Sequence, residues 1–133
     1  MRVPTLIQVL GVAALGCVVA PTAANAQDSE AVKRGNATFQ HTCAPCHGAG
    51  LGEDGRPMLP GTTALQIKYK GEIPALLEQR KDLTAPVLTV FLRRGSWSMP
   101  PFRPTEVTDD DIADIAAYLA ESSKAKPPAA PKR

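Results

Sequence analysis

Five consecutive residues, Cys43-Ala44-Pro45-Cys46-His47, constrain this chain more than anything else in it. Two cysteines this close together are a poor disulfide framework for a domain of about a hundred residues. A bridge across only two intervening residues is also strained. A zinc site calls for four nitrogen or sulfur ligands, and outside the motif the sequence offers only His41. A thioredoxin-like redox pair belongs at a strand-to-helix junction in a βαβ setting, and no alternating strand pattern occurs anywhere in the chain. The spacing C-x-x-C-H is instead the attachment sequence for haem c. Each thiol forms a thioether to a haem vinyl group, and the histidine directly after is held beneath the iron as an axial ligand.

The start of the chain agrees with such chemistry. Arg2 supplies a short positive beginning, residues 3–20 are almost wholly apolar, and Ala24-Asn25-Ala26 forms an A-x-A cleavage signal. Residues 1–26 therefore read as a cleaved signal peptide, leaving a mature chain of 27–133. An uncleaved membrane anchor and a lipoprotein at Gly16-Cys17 are the rival readings; the apolar run only just reaches bilayer length. Cleavage removes Cys17 and leaves Cys43 and Cys46 as the pair. The expected location is the periplasm, where covalent haem attachment takes place. Aromatic residues are few (Phe39, Tyr69, Phe91, Trp97, Phe102 and Tyr118), so a large apolar cofactor at the centre would make good a small core.

The fold class expected is all-α, a small helical domain over residues 27–122 wrapped around one covalent haem, followed by a disordered Lys/Pro/Ala tail at 123–133. A first helix spans 29–41, and Gly35 allows a close neighbour. Residues 48–61, with five glycines and two prolines, read as a loop. Glu72 to Gln79 reads as a short helix with Pro74 in its first turn. Thr84 is the expected N-cap of the next helix, with Pro86 in its first turn and Gly95 as its stop. Thr108 and Asp111 predict a capping box for the last helix, whose Ile112, Ile115, Ala116 and Leu119 form one apolar stripe.

Three side chains compete for the sixth iron position: His41, Met58 and Met99. His41 lies too close to Cys43 to swing to the opposite haem face, and Met58 in the proximal loop suits apolar packing. Met99 follows a helix and a turn and precedes Pro100-Pro101, which leaves enough chain to pass round the porphyrin.

With the motifs in this order, the chain resembles the class I c-type cytochromes across most of residues 29–122. The resemblance implies His47 and Met99 as axial ligands, and a first and last helix that cross with Gly35 and Phe39 near Tyr118 and Leu119. It also implies that the Pro57 carbonyl, with Pro60 as a fallback, accepts a bond from the second nitrogen of His47. Trp97 is expected to pack in the haem pocket. From Gly61-Thr62-Thr63-Ala64-Leu65 through Met99-Pro100-Pro101-Phe102-Arg103 the chain further resembles small cytochromes that serve periplasmic dehydrogenases, including flavin-dependent ones. The short loops expected between Thr63 and Thr84 depart from the mitochondrial type.

A haem with both axial positions filled exchanges single electrons, and a His/Met pair raises its potential. The chain is thus expected to be an electron carrier and not an enzyme. Its partners would be a dehydrogenase donor and an oxidase or cytochrome acceptor, with no nucleic acid and no membrane for the mature form. A haem enzyme or gas sensor with a dissociable distal ligand, and a permanent subunit of a dehydrogenase complex, are the alternatives. Residues 55–104 carry eight Lys/Arg against three acids, whereas 105–122 carry six acids and no base. Arg93, Arg94 and Arg103 are candidates to steer docking at the haem edge.

Overall fold

The structure, a computed structural model, describes residues 23–125. Five α-helices follow in order: α1 (Ala23–Thr42), α2 (Ala44–His47), α3 (Pro60–Tyr69), α4 (Ala85–Arg94) and α5 (Asp109–Ser122), with a 3-10 turn at Leu77–Gln79 before α4. Among the described residues there is no strand beyond an isolated bridge between Ser96 and Met99. None of the described helices is long and apolar enough to cross a membrane. Residues 1–22 of the expected leader and 126–133 of the expected tail lie outside the described residues.

The core is built where α1 crosses α5. Gly35 makes the crossing possible, because a Cβ there would lie 1.9 Å from the Asp114 carbonyl oxygen. With no side chain between them the two backbones meet, and Phe39, wholly buried, sets its ring 5.3 Å from that of Tyr118. Arg34 closes the edge with bonds to both carboxylate oxygens of Asp114, at 2.6 and 3.0 Å. The predicted stripe of α5 faces inward: Ile112, Ile115 and Leu119 are buried with Phe39, Leu88, Leu92 and Val107. The helices therefore cross as the resemblance implied, with Phe39 at Tyr118, whereas Gly35 meets Asp114 and Ile115, one turn earlier than Tyr118.

Helix α5 begins as its sequence predicts. The Thr108 hydroxyl accepts from the Asp111 N–H at 3.1 Å, and the Thr108 N–H donates to the Asp111 carboxylate at 2.9 Å. Two donors that a helix start leaves unpaired are satisfied in this way. Helix α4 also runs from Thr84 to Gly95 as expected, but Thr84 caps it without a side-chain bond.

The middle of the chain departs from expectation. The helix expected over 72–79 is only the 3-10 turn at Leu77–Gln79, and a helix not foreseen, α3, occupies Pro60–Tyr69. Pro60 and Gly61, which read as the end of a loop, are its first residues. A proline at the first helical position loses no bond, since its N–H would be unpaired there in any case. Helix α3 ends at Lys70 in a left-handed conformation, φ 53°. Beyond it the buried Arg80 guanidinium lies 5.1 Å from the centre of the Tyr69 ring and is bonded to Asp82.

Candidate functional site

A single helical turn carries the attachment motif. Residues Ala44–His47 form α2, and the His47 N–H donates to the Cys43 carbonyl at 2.8 Å. Positions i and i+3 of a helix share a face, so Cys43 and Cys46 are directed to one side of this turn with His47 beside them. Both cysteines are free. Cys43 is half-buried against the core, and burial together with the neighbouring Cys46 pushes its thiol up to about 11.

His47 is held from the α3 side. A Cβ on Gly61 would lie 2.7 Å from the imidazole Cε1 and 2.8 Å from Nδ1, so the start of α3 fits against the ring only because residue 61 is glycine. The next residue fastens that contact: the buried Thr62 hydroxyl donates to the Gly48 carbonyl at 3.2 Å. Burial pushes the His47 pKa down, which favours the neutral imidazole that a metal requires. Its Nδ1 is buried with no hydrogen-bond partner, leaving Nε2 as the nitrogen for a metal.

The bond from His47 to the Pro57 carbonyl is therefore absent, and Pro60 does not replace it. The loop between them turns inward to start α3 instead: Met58 accepts from the Thr63 hydroxyl and Leu59 from the Thr63 N–H. Pro57 itself is exposed. Gly61 and Thr62 hold the ring side of this loop; in the sequence they stand out only as the start of a family resemblance, not as neighbours of His47. The Pro60-Gly61 pair could have marked a helix start, since proline favours that position.

Met99 is half-buried and packs on the same core cluster as Cys43. Its backbone exchanges both hydrogen bonds with Ser96, at 3.0 and 2.9 Å, closing a two-residue turn. Trp97 stands at the tip of that turn, fully exposed, with φ 56°. The tight turn leaves its side chain clear of the protein core, so any packing partner it has is not one of the core residues. His41 is exposed in the last turn of α1, and Met58 is half-buried.

The arginines near Met99 are not a free positive ring. Arg93 pairs with Asp109 at 2.6 Å and Arg103 with Glu106 at 2.9 Å. The acids that follow Met99 in sequence thus neutralise two of the three cations proposed for docking.

The donor set fits covalent haem. Two thiols share a turn, and a neutral imidazole with one nitrogen walled in stands next to them. Among the described residues no group of three or more His, Cys, Asp or Glu could hold a metal ion, so the zinc reading gains no ligands from the fold. No curated protein and no solved structure matches the chain. Residues 30–119, well over half of the chain and everything from the start of the α1–α5 crossing to its end, match the family model described as cytochrome c oxidase, cbb3-type, subunit III. On that match and on the motif that α2 presents, the chain belongs to this family of c-type cytochromes and carries haem c.

Proposed function

We propose that this cytochrome is a periplasmic one-electron carrier whose iron is held between His47 and Met99, taking electrons from a dehydrogenase and passing them toward the respiratory chain. The observation that carries the reading is the backbone-clamped Met99, which packs on the core cluster that also receives Cys43. Bound haem supplies Fe(III)/Fe(II) exchange, and the protein sets its potential and its access. Cys43 and Cys46 anchor the group by thioethers. His47, kept neutral by burial, presents one nitrogen to the metal. Met99 would offer its thioether to the iron from the other side and so keep water and small ligands away from it. With His47 and Met99 both on the iron, the metal would have no open position for a substrate or gas, which favours a carrier over a haem enzyme or gas sensor.

The signal-peptide pattern of residues 1–26 supports export, and the likeness of residues 61–103 to dehydrogenase-associated cytochromes supports the donor. The family is named for an oxidase subunit, which favours a second reading as a fixed subunit of a larger complex. Gel filtration of protein isolated from its own host separates the two, since a carrier elutes alone.

The test of the site is direct. Purified protein should keep its haem through acid–acetone extraction, with the mass of residues 27–133 plus one haem. Oxidised protein should show a weak sulfur-to-iron band near the red end of the visible spectrum. Met99→Ala should abolish the band, lower the potential and open the iron to cyanide, whereas Met58→Leu, a swap of similar volume, should do little. Extractable haem, or a band controlled by Met58, would sink the assignment.

A further inference from the structure

Met99 sits in a segment fastened at several points to the end of α4. The Gly95 N–H donates to the Phe91 carbonyl at 2.8 Å and closes the helix, and the Phe102 N–H donates to the Leu92 carbonyl at 2.7 Å. Gly95 has φ 68°, and a Cβ there would lie 2.7 Å from the Met99 carbonyl oxygen and 3.0 Å from the Pro101 nitrogen. The segment is pressed onto the helix end, with no room for a larger residue at the point of closest approach.

One side chain joins this segment to the rest of the domain. The Arg93 guanidinium donates through Nη1 to the Phe102 carbonyl at 3.3 Å and through Nη2 to Asp109 Oδ1 at 2.6 Å. Arg93 lies in the last turn of α4, Phe102 ends the segment and Asp109 opens α5, so three parts of the chain meet at one planar group. The prolines at 100 and 101 make the connection stiff. Each fixes φ near −65°, which leaves few soft dihedrals between a carbonyl held at Phe102 and the Cα of Met99.

We propose that Arg93 is a positioning residue for Met99, bracing the segment between α4 and α5 and so setting how readily the thioether leaves the iron. The proposal rests on the reading of Met99 as a ligand. It replaces the steering role that the sequence suggested for Arg93, because a cation already paired with Asp109 adds little to the long-range field. The fork geometry matters as much as the charge: a guanidinium reaches two acceptors in fixed directions, and a lysine ammonium is a point charge on a flexible stem. The arginine side chain is 20% exposed and that of Asp109 is 85% exposed. The bond to the Phe102 carbonyl therefore carries more of the effect than the ion pair, which water screens.

Cyanide displacement of the sulfur ligand in the oxidised, haem-loaded protein tests this, followed by stopped flow through loss of the sulfur-to-iron band. Arg93→Gln should speed displacement about tenfold, the scale of one charge-assisted hydrogen bond lost, and should lower the reduction potential. Arg93→Lys should fall between it and the parent protein, and Asp109→Asn should change the rate by only about twofold, since an exposed pair is weak. Should Arg93→Gln fail to accumulate, the other two variants carry the same ordering. Arg34→Gln is the control. It breaks the pair with Asp114 between α1 and α5, so it should lower the denaturation midpoint and leave the cyanide rate alone. Parent rates in both Arg93 variants, or an equal acceleration in Arg34→Gln, would overturn the bracing role. A parent protein without the sulfur band would remove the Met99 reading and the bracing role together. A band that vanishes in Met99→Ala but exchanges at the parent rate in Arg93→Gln removes the bracing role alone.

Discussion

The α1–α5 crossing and the stretch from Cys46 to Tyr69 are stabilised in opposite ways. At the crossing, apolar side chains are buried by one another, and Arg34 and Asp114 satisfy each other at the edge. Between Cys46 and Tyr69 the only buried side chain is that of Thr62, while Leu51 and Ile67 are more than two-thirds exposed and His47 Nδ1 is unpaired. The first region is complete as polypeptide. The second is arranged around the chemistry of the attachment motif, with glycine where an imidazole must fit. Substitutions in the first should therefore act on stability, and those in the second on the iron.

The largest effect should come from Phe39→Ala. Removing a wholly buried ring should cost about 3–5 kcal/mol of stability, measured by denaturant unfolding of the haem-loaded protein, with the oxidised spectrum unchanged. A spectral change in that variant would break the separation between the two regions. Gly61→Ala should invert the pattern. Its Cβ presses on His47, and overpacking of this kind costs about 1–3 kcal/mol. Spectroelectrochemistry should show a shift in reduction potential that Phe39→Ala lacks.

The smallest effect belongs to the cap of α5. Hydrogen bonds from the Thr108 side chain and backbone N–H hold the Asp111 carboxyl below its usual range. A depressed carboxyl contributes stability above its unfolded value, about 3.9, and loses it as pH falls through the lower folded value. Unfolding midpoints followed downward from about pH 6 should fall less steeply for Asp111→Asn than for the parent, the gap between them closing as the parent's Asp111 carboxyl is protonated. Identical acid profiles would show that the cap contributes nothing.

What could be read from the sequence follows the same division. The crossing was legible because its signals are local: Gly35 for close approach, the Thr108/Asp111 box, and a 3.6-residue stripe through Ile112, Ile115 and Leu119. Cys43, Cys46 and His47 were legible because covalent chemistry fixes their spacing. The surroundings of His47 were not. Pro60-Gly61 suits either a turn or a helix start, and only the tertiary fit of Gly61 against the imidazole selects the helix. Pro74 read as a helix start, and the chain there makes only one 3-10 turn. The charge pattern misled for a different reason. Counts by segment show excess sign but not pairing, and two of the acids after residue 104, Asp109 and Glu106, pair with Arg93 and Arg103.

The Arg34–Asp114 contact joins residues 80 positions apart, and this separation bears on the order of events as the domain forms. Contacts so distant along the chain cannot reward the entropy lost in closing the loop until both ends are present. A chain that emerges N-terminus first therefore cannot complete its core until α5 has followed, late in the sequence. The loop closed by that contact contains both Cys43-to-His47 and Met99. Until it closes, the thiols belong to an open chain within reach of haem and of whatever joins it to them. Cys43, which the closed core half-buries, is thus more open to the covalent step before α5 docks, whereas Cys46 stays exposed throughout.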